Sequence, residues 1–85
     1  MKYNIAIKFY KKELAILNRY HNHFRTAVKH DYCRNLTDKE IEEIHSIWQR
    51  VIGKPYPLCK SCGKSKLNFI KMVGKYYLTQ IGEEV

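Results

Sequence analysis

Leu36-Thr37-Asp38-Lys39-Glu40-Ile41-Glu42-Glu43-Ile44-His45-Ser46-Ile47-Trp48-Gln49-Arg50-Val51-Ile52-Gly53-Lys54-Pro55 carries both ends of a helix within its own residues. Thr37 is an N-cap residue, and Glu40 three positions later completes a reciprocal capping box. Leu36 before the cap and Ile41 after it can form a hydrophobic staple. Asp38, Glu40, Glu42 and Glu43 place negative charge at the positive end of the helix dipole. Ile41, Ile44, Trp48 and Val51 recur at helical spacing, with Ile47 and Ile52 beside them. Gly53 ends the run and Pro55 prevents its continuation. The stretch predicts a helix over about 38–52.

Toward the N-terminus there is no Gly or Pro before residue 53. Tyr3, Ile7, Tyr10, Leu14, Leu17, His21, Phe24 and Val28 follow spacings of four and three in alternation, a heptad-like stripe. This predicts one long helix over about 4–33. Tyr3, Ile5, Ile7 and Phe9 also alternate with period two, as in a short strand. A lone strand would have no partner in the chain, so the helix is preferred. A helix of about 30 residues is about 45 Å long. The shorter second helix cannot cover it, so part of the stripe is expected to face another subunit in a homo-oligomer.

Toward the C-terminus, Gly53-Lys54-Pro55-Tyr56-Pro57 and Gly63 form a loop. A third helix is expected over about 62–80. Leu67, Ile70, Val73, Tyr77 and Ile81 lie on one face. Lys60, Lys64, Lys71 and Lys75 fall within about 60° of arc on the other, flanked by Met72 and Tyr76. The chain therefore reads as all-α: one small helical domain, 1–85, with one long and two shorter helices. At 85 residues it buries little surface, and such domains often gain stability from a metal or a second subunit.

The net charge is +8. After Glu43 no acid occurs until Glu83, and between them lie Arg50, Lys54, Lys60, Lys64, Lys66, Lys71 and Lys75. Such a stretch raises a local positive potential that attracts phosphate-bearing partners. The same lysines also suit a solubilising surface, and lysine reads phosphate less selectively than arginine. No run approaches the roughly 18 apolar residues of a membrane span. Lys8, Lys11 and Lys12 break up the N-terminal segment, which does not read as a secretory signal. Three cysteines without an export signal fit a reducing cytoplasm and free thiols or a metal rather than a disulfide framework.

Cys59-Lys60-Ser61-Cys62-Gly63 has the spacing of a metal knuckle. His30 and Cys33, three positions apart like the Cys pair, could complete a Cys₃His site holding one structural zinc ion. The four ligands His30, Cys33, Cys59 and Cys62 would pin the third helix to the first and leave no open position for catalysis. The Cys pair also fits packed thiols at a helix start, or a redox pair lacking its usual βαβ context. His21 and His23 are two apart and do not face one another on a helix. His21 is expected on the apolar stripe, His23 in solvent and His45 at the surface. Tyr20, Tyr32, Tyr56, Tyr76 and Tyr77 could stack on bases beside lysines, or simply pack. No nucleophile–base pair occurs, and Gly63-Lys64-Ser65 lacks the earlier glycine and strand of a phosphate loop.

Arg25-Thr26-Ala27-Val28-Lys29-His30-Asp31-Tyr32-Cys33-Arg34-Asn35-Leu36, Gly53-Lys54-Pro55-Tyr56, and Cys59-x-x-Cys62 followed by Leu67-Asn68-Phe69-Ile70-Lys71-x-x-Gly74-x-Tyr76 carry a resemblance. Over about residues 25–77 the chain resembles small uncharacterised helical proteins of tailed phages and prophages of gut Bacteroidota. The resemblance implies a phage accessory protein acting in the bacterial cytoplasm and assigns no catalytic or binding residue.

The expected function is non-enzymatic binding of nucleic acid or another phosphate-rich ligand. Lys60, Lys64, Lys71 and Lys75 would meet phosphates, with Arg50, Lys54 and Tyr56 at the edge. The alternative is a protein-interaction module acting through the first helix: an inhibitor of a host factor, a nucleotide-signal sequestering protein or a virion component. Neither reading involves a membrane.

Overall fold

The computed structural model describes residues 8–32, 36–59 and 63–82, and these form four helices and no strands. They are α1 (Lys11–Asn18), α2 (His21–His30), α3 (Asp38–Ile52) and α4 (Gly63–Gln80). The helix expected over 38–52 is α3. Its N-terminus carries the capping box: the Glu40 amide donates to Thr37 Oγ1 at 3.2 Å and the Thr37 amide to Glu40 Oε1 at 2.9 Å. Gly53 closes it in the left-handed region at φ 73°, and its amide donates to the Gln49 carbonyl at 2.9 Å.

The long first helix is not formed. Residues 8–10 are not helical, and the run that follows divides at Arg19 and Tyr20 into α1 and α2. The Arg19 and Tyr20 amides bond back three residues, to Ile16 (3.1 Å) and Leu17 (2.8 Å), which tightens the end of α1. Phe24 then donates to the Tyr20 carbonyl and starts α2. The cause is tertiary. Asn18 and His21 converge on the Tyr77 hydroxyl of α4, while Arg19 and Tyr20 both reach Glu43 of α3. A straight helix of about 45 Å would also overrun a body measuring 30 × 28 × 27 Å. Leu17 and Phe24 of the stripe are fully buried in the chain's own core. Leu14, His21 and Val28 of the stripe are half-buried, and Tyr10 is 56% exposed. Residues 3–7 lie outside the described residues.

Phe9 needs no strand partner for its backbone. Gln80 supplies one from α4, its side-chain amide accepting from the Phe9 N–H and donating to the Phe9 carbonyl, both at 2.9 Å. Gln49 and His45 do the same for Tyr56: Gln49 Oε1 accepts from its N–H at 2.9 Å and His45 Nε2 donates to its carbonyl at 2.6 Å. His45, expected at the surface, is therefore half-buried and pins the loop after α3. His23, expected in solvent, is half-buried, and its Nδ1 has no hydrogen-bond partner among the described residues.

The core comprises Leu17, Phe24 and Ala27 of the first two helices, Ile41, Ile44 and Trp48 of α3, and Phe69, Ile70, Val73, Tyr77 and Leu78 of α4. α4 packs most extensively on α2. Gly74 marks their closest approach: a Cβ there would stand 3.2 Å from Phe24 Cβ and 3.2 Å from Val28 Cγ2. Ile81, expected on the buried face, is 41% exposed, because α4 ends one residue earlier.

Candidate nucleic-acid interface

The interface is built on one arc of α4. Its inner half-turns bury Phe69, Ile70, Val73, Gly74, Tyr77 and Leu78. An adjoining arc carries Lys64, Lys71 and Lys75, which fall within about 40° of one another at 100° per residue, with Lys71 on the flank that leads to buried Leu78. Lys64 is exposed and Lys75 half-buried, and neither has an ion-pair partner among the described residues. Lys54 is exposed in the loop after α3. Lys60 lies outside the described residues.

The remaining cations expected to meet phosphate are engaged within the fold. Arg50 grips Glu13 of α1 through Nε to Oε2 at 2.7 Å and an Nη to Oε1 at 2.6 Å. The same Nη donates to the Lys8 carbonyl at 3.2 Å, and the guanidinium lies 4.0 Å over the Tyr10 ring. Burial pushes the Glu13 carboxyl up. The Arg50 bonds, the Tyr10 amide and the Arg50 and Lys12 charges outweigh it and hold the group below its ordinary value. Lys71 meets Asp31 at 2.6 Å. The stretch from 44 to 82 contains no acid, yet the fold brings it one from the end of α2. Asp31 sits there in the left-handed region at φ 56°, a conformation Asp tolerates better than most residues. The Lys71 bond and charge and the nearby Lys64 charge hold its carboxyl below the ordinary range.

Tyr56 is not a loop-tip platform. Its ring packs on Phe69 at 5.5 Å and its backbone is held by Gln49 and His45. Tyr20 is 6% exposed and donates to Glu43 at 2.7 Å. Burial, that bond and the Glu43 charge push it up to about 12. The fully buried Tyr77 donates to Asn18 Oδ1 at 2.8 Å and lies 2.9 Å from His21 Nδ1, which places the His21 proton on Nδ1.

The described residues also line two open grooves that include no residue of α4. One, of about 290 Å³, runs along the outer face of α2 and is lined by Asn22, Arg25, Thr26, Lys29 and His30. The pattern i, i+3, i+4, i+7 marks one helix face, a cationic stripe the lysine count alone did not reveal. The other, of about 540 Å³, is lined by Arg19, Tyr20, Lys39, Glu40, Glu42, Glu43 and Ser46. Three carboxylates make it a poor seat for an anion despite its greater volume.

Of the four zinc ligands expected, Cys33 and Cys62 lie outside the described residues. His30 is exposed at the end of α2. Cys59 is disulfide-bonded, against the expectation of free thiols. Among the described residues no group of three His, Cys, Asp or Glu side chains is placed to hold a metal. No helix among them is long and apolar enough to cross a membrane.

Fold and surface together define a small, basic, all-helical domain with a cationic ridge on α4. No family model, curated protein or solved structure matches the chain.

Proposed function

We propose that this chain is a binding module, not an enzyme, and that it engages nucleic acid through the lysine ridge of α4. The observation that carries this reading is the state of Lys64 and Lys75. Both share one arc of a packed helix, Lys64 exposed and Lys75 half-buried, and neither has a carboxylate partner among the described residues. Lys29 lies two residues before Asp31, which is bonded to Lys71, so the end of α2 adds a further cation near the same region. A phosphate backbone answers such a surface, because each lysine contact releases condensed counterions. The resemblance to phage proteins suggests the setting, an accessory protein in an infected bacterial cell.

Anisotropy titration of a fluorescent oligonucleotide across a range of salt tests the reading. Affinity should fall steeply as salt rises. Replacing Lys64 and Lys75 together by Glu should abolish most of the binding without altering the melting transition. Affinity independent of salt, or untouched by the double reversal, would refute the proposal.

A further inference from the structure

The sequence offers five tyrosines as stacking platforms for bases, and the structure uses four of them internally. Tyr20 and Tyr77 are buried and hydrogen-bonded. Tyr76 packs on Trp48 at 5.5 Å, and Tyr56 packs on Phe69 at the same distance. A sixth, Tyr10, exposed at the start of α1, lies beneath the Arg50 guanidinium. Tyr32 differs from all of these. It is 61% exposed, and among the described residues it has no hydrogen bond, ion pair or ring contact.

Its position is informative. Tyr32 directly follows Asp31, whose carboxylate is 2.6 Å from the Lys71 ammonium and within the field of Lys64. Adjacent Cα atoms are about 3.8 Å apart, so the backbone of Tyr32 lies beside the Asp31–Lys71 pair. An exposed aromatic residue that follows a carboxylate in the field of two lysines brings together the two parts that single-stranded nucleic acid binds: a face for an unstacked base and cations for flanking phosphates. A duplex, whose bases are stacked on each other, has no use for the ring.

We propose that Tyr32 is a base-stacking platform, with Lys64 holding an adjacent phosphate, and that the site therefore favours single-stranded nucleic acid over a polyanion without bases. This rests on the nucleic-acid reading above. The test compares wild type, Tyr32→Ala and Tyr32→Phe on a labelled single-stranded oligonucleotide and, by competition, on inorganic polyphosphate. Stacking of one base predicts that Tyr32→Ala weakens oligonucleotide binding roughly 5- to 100-fold. Polyphosphate binding should stay within about twofold, and Tyr32→Phe should retain wild-type affinity for both, since the ring face does the binding. Oligonucleotide affinity unchanged in Tyr32→Ala, or an equal loss on both probes, overturns the platform while leaving the lysine ridge standing. A wild-type protein that binds neither probe overturns both.

Discussion

Arg50 shows how far a single side chain can depart from its sequence context. Among lysines it reads as one more phosphate contact. In the fold it makes a two-point bond to Glu13, whose side chain is 8% exposed, and its own side chain is 39% exposed. Removing the carboxylate charge leaves the guanidinium half-covered and under-bonded. Glu13→Gln should therefore cost about 1–3 kcal/mol, with solvent at the open edge of Arg50 holding the loss below that of a fully buried pair. The pH dependence has a definite sign. Glu13 is held below its ordinary value in the fold, so its contribution is present above the unfolded carboxyl pKa of about 4.3 and is lost as pH falls through the folded value. Urea denaturation of wild type and Glu13→Gln should show a gap at neutral pH that closes on acidification. A gap constant down to strongly acid solution would mean that the pair contributes nothing through charge. The partnership was not legible because 37 residues separate Glu13 from Arg50 and no local pattern links them. Asp31 and Lys71, 40 apart, were hidden for the same reason.

At the scale of elements, legibility follows the location of the signal. α3 could be read because Thr37, Glu40, Gly53 and Pro55 specify its ends from within. The division of α1 from α2 could not, because no Gly or Pro marks Arg19 and Tyr20 and the apolar spacing runs straight through them. The break is specified by Tyr77 and Glu43, which become neighbours only after folding. Gly74 is the converse case, a small residue inside a helix whose reason is the approach of α2. Alanine there would gain about 1 kcal/mol of helix propensity and lose a similar amount in crowding. Valine is the sharper probe. Its branched side chain cannot avoid Phe24 and Val28, and Gly74→Val should cost about 1–3 kcal/mol or more. In a domain of this size each kcal/mol lowers the melting temperature by roughly 4–8 °C. At Gly63 a Cβ would meet nothing within 4 Å. Gly63→Ala should leave the melting temperature unchanged or raise it, by up to about 1 kcal/mol in stability. Equal behaviour of the two positions in a thermal melt would show that α2 and α4 do not pack at Gly74 as described.

Across the whole molecule the charge is divided by region rather than spread. Glu40, Glu42 and Glu43 line one groove, while Lys64, Lys71 and Lys75 share one arc of α4. Arg19 and Lys39 also line the first groove, but on the proposed reading the lysine arc orients an approaching polyanion before it docks. Among the described residues Asp31 is a carboxylate on the cationic side, and on the proposed reading its bond to Lys71 competes with an incoming phosphate. On the same reading, Asp31 limits affinity. Asp31→Asn should bind an oligonucleotide more tightly, because Lys71 becomes available and a repulsive charge is gone. Asn is also tolerated in the left-handed conformation at this position, so the end of α2 should be preserved. The magnitude of the log–log slope of affinity against salt should grow by about 0.7 for each further phosphate that the variant neutralises on a single strand. Glu42→Gln is the matched control, since it changes net charge equally but lies by the acidic groove. Should both variants tighten binding to the same degree and leave the slope alike, net charge alone would govern affinity. A larger increase in affinity and a steeper slope for Asp31→Asn would place the bound strand at the junction of α2 and α4.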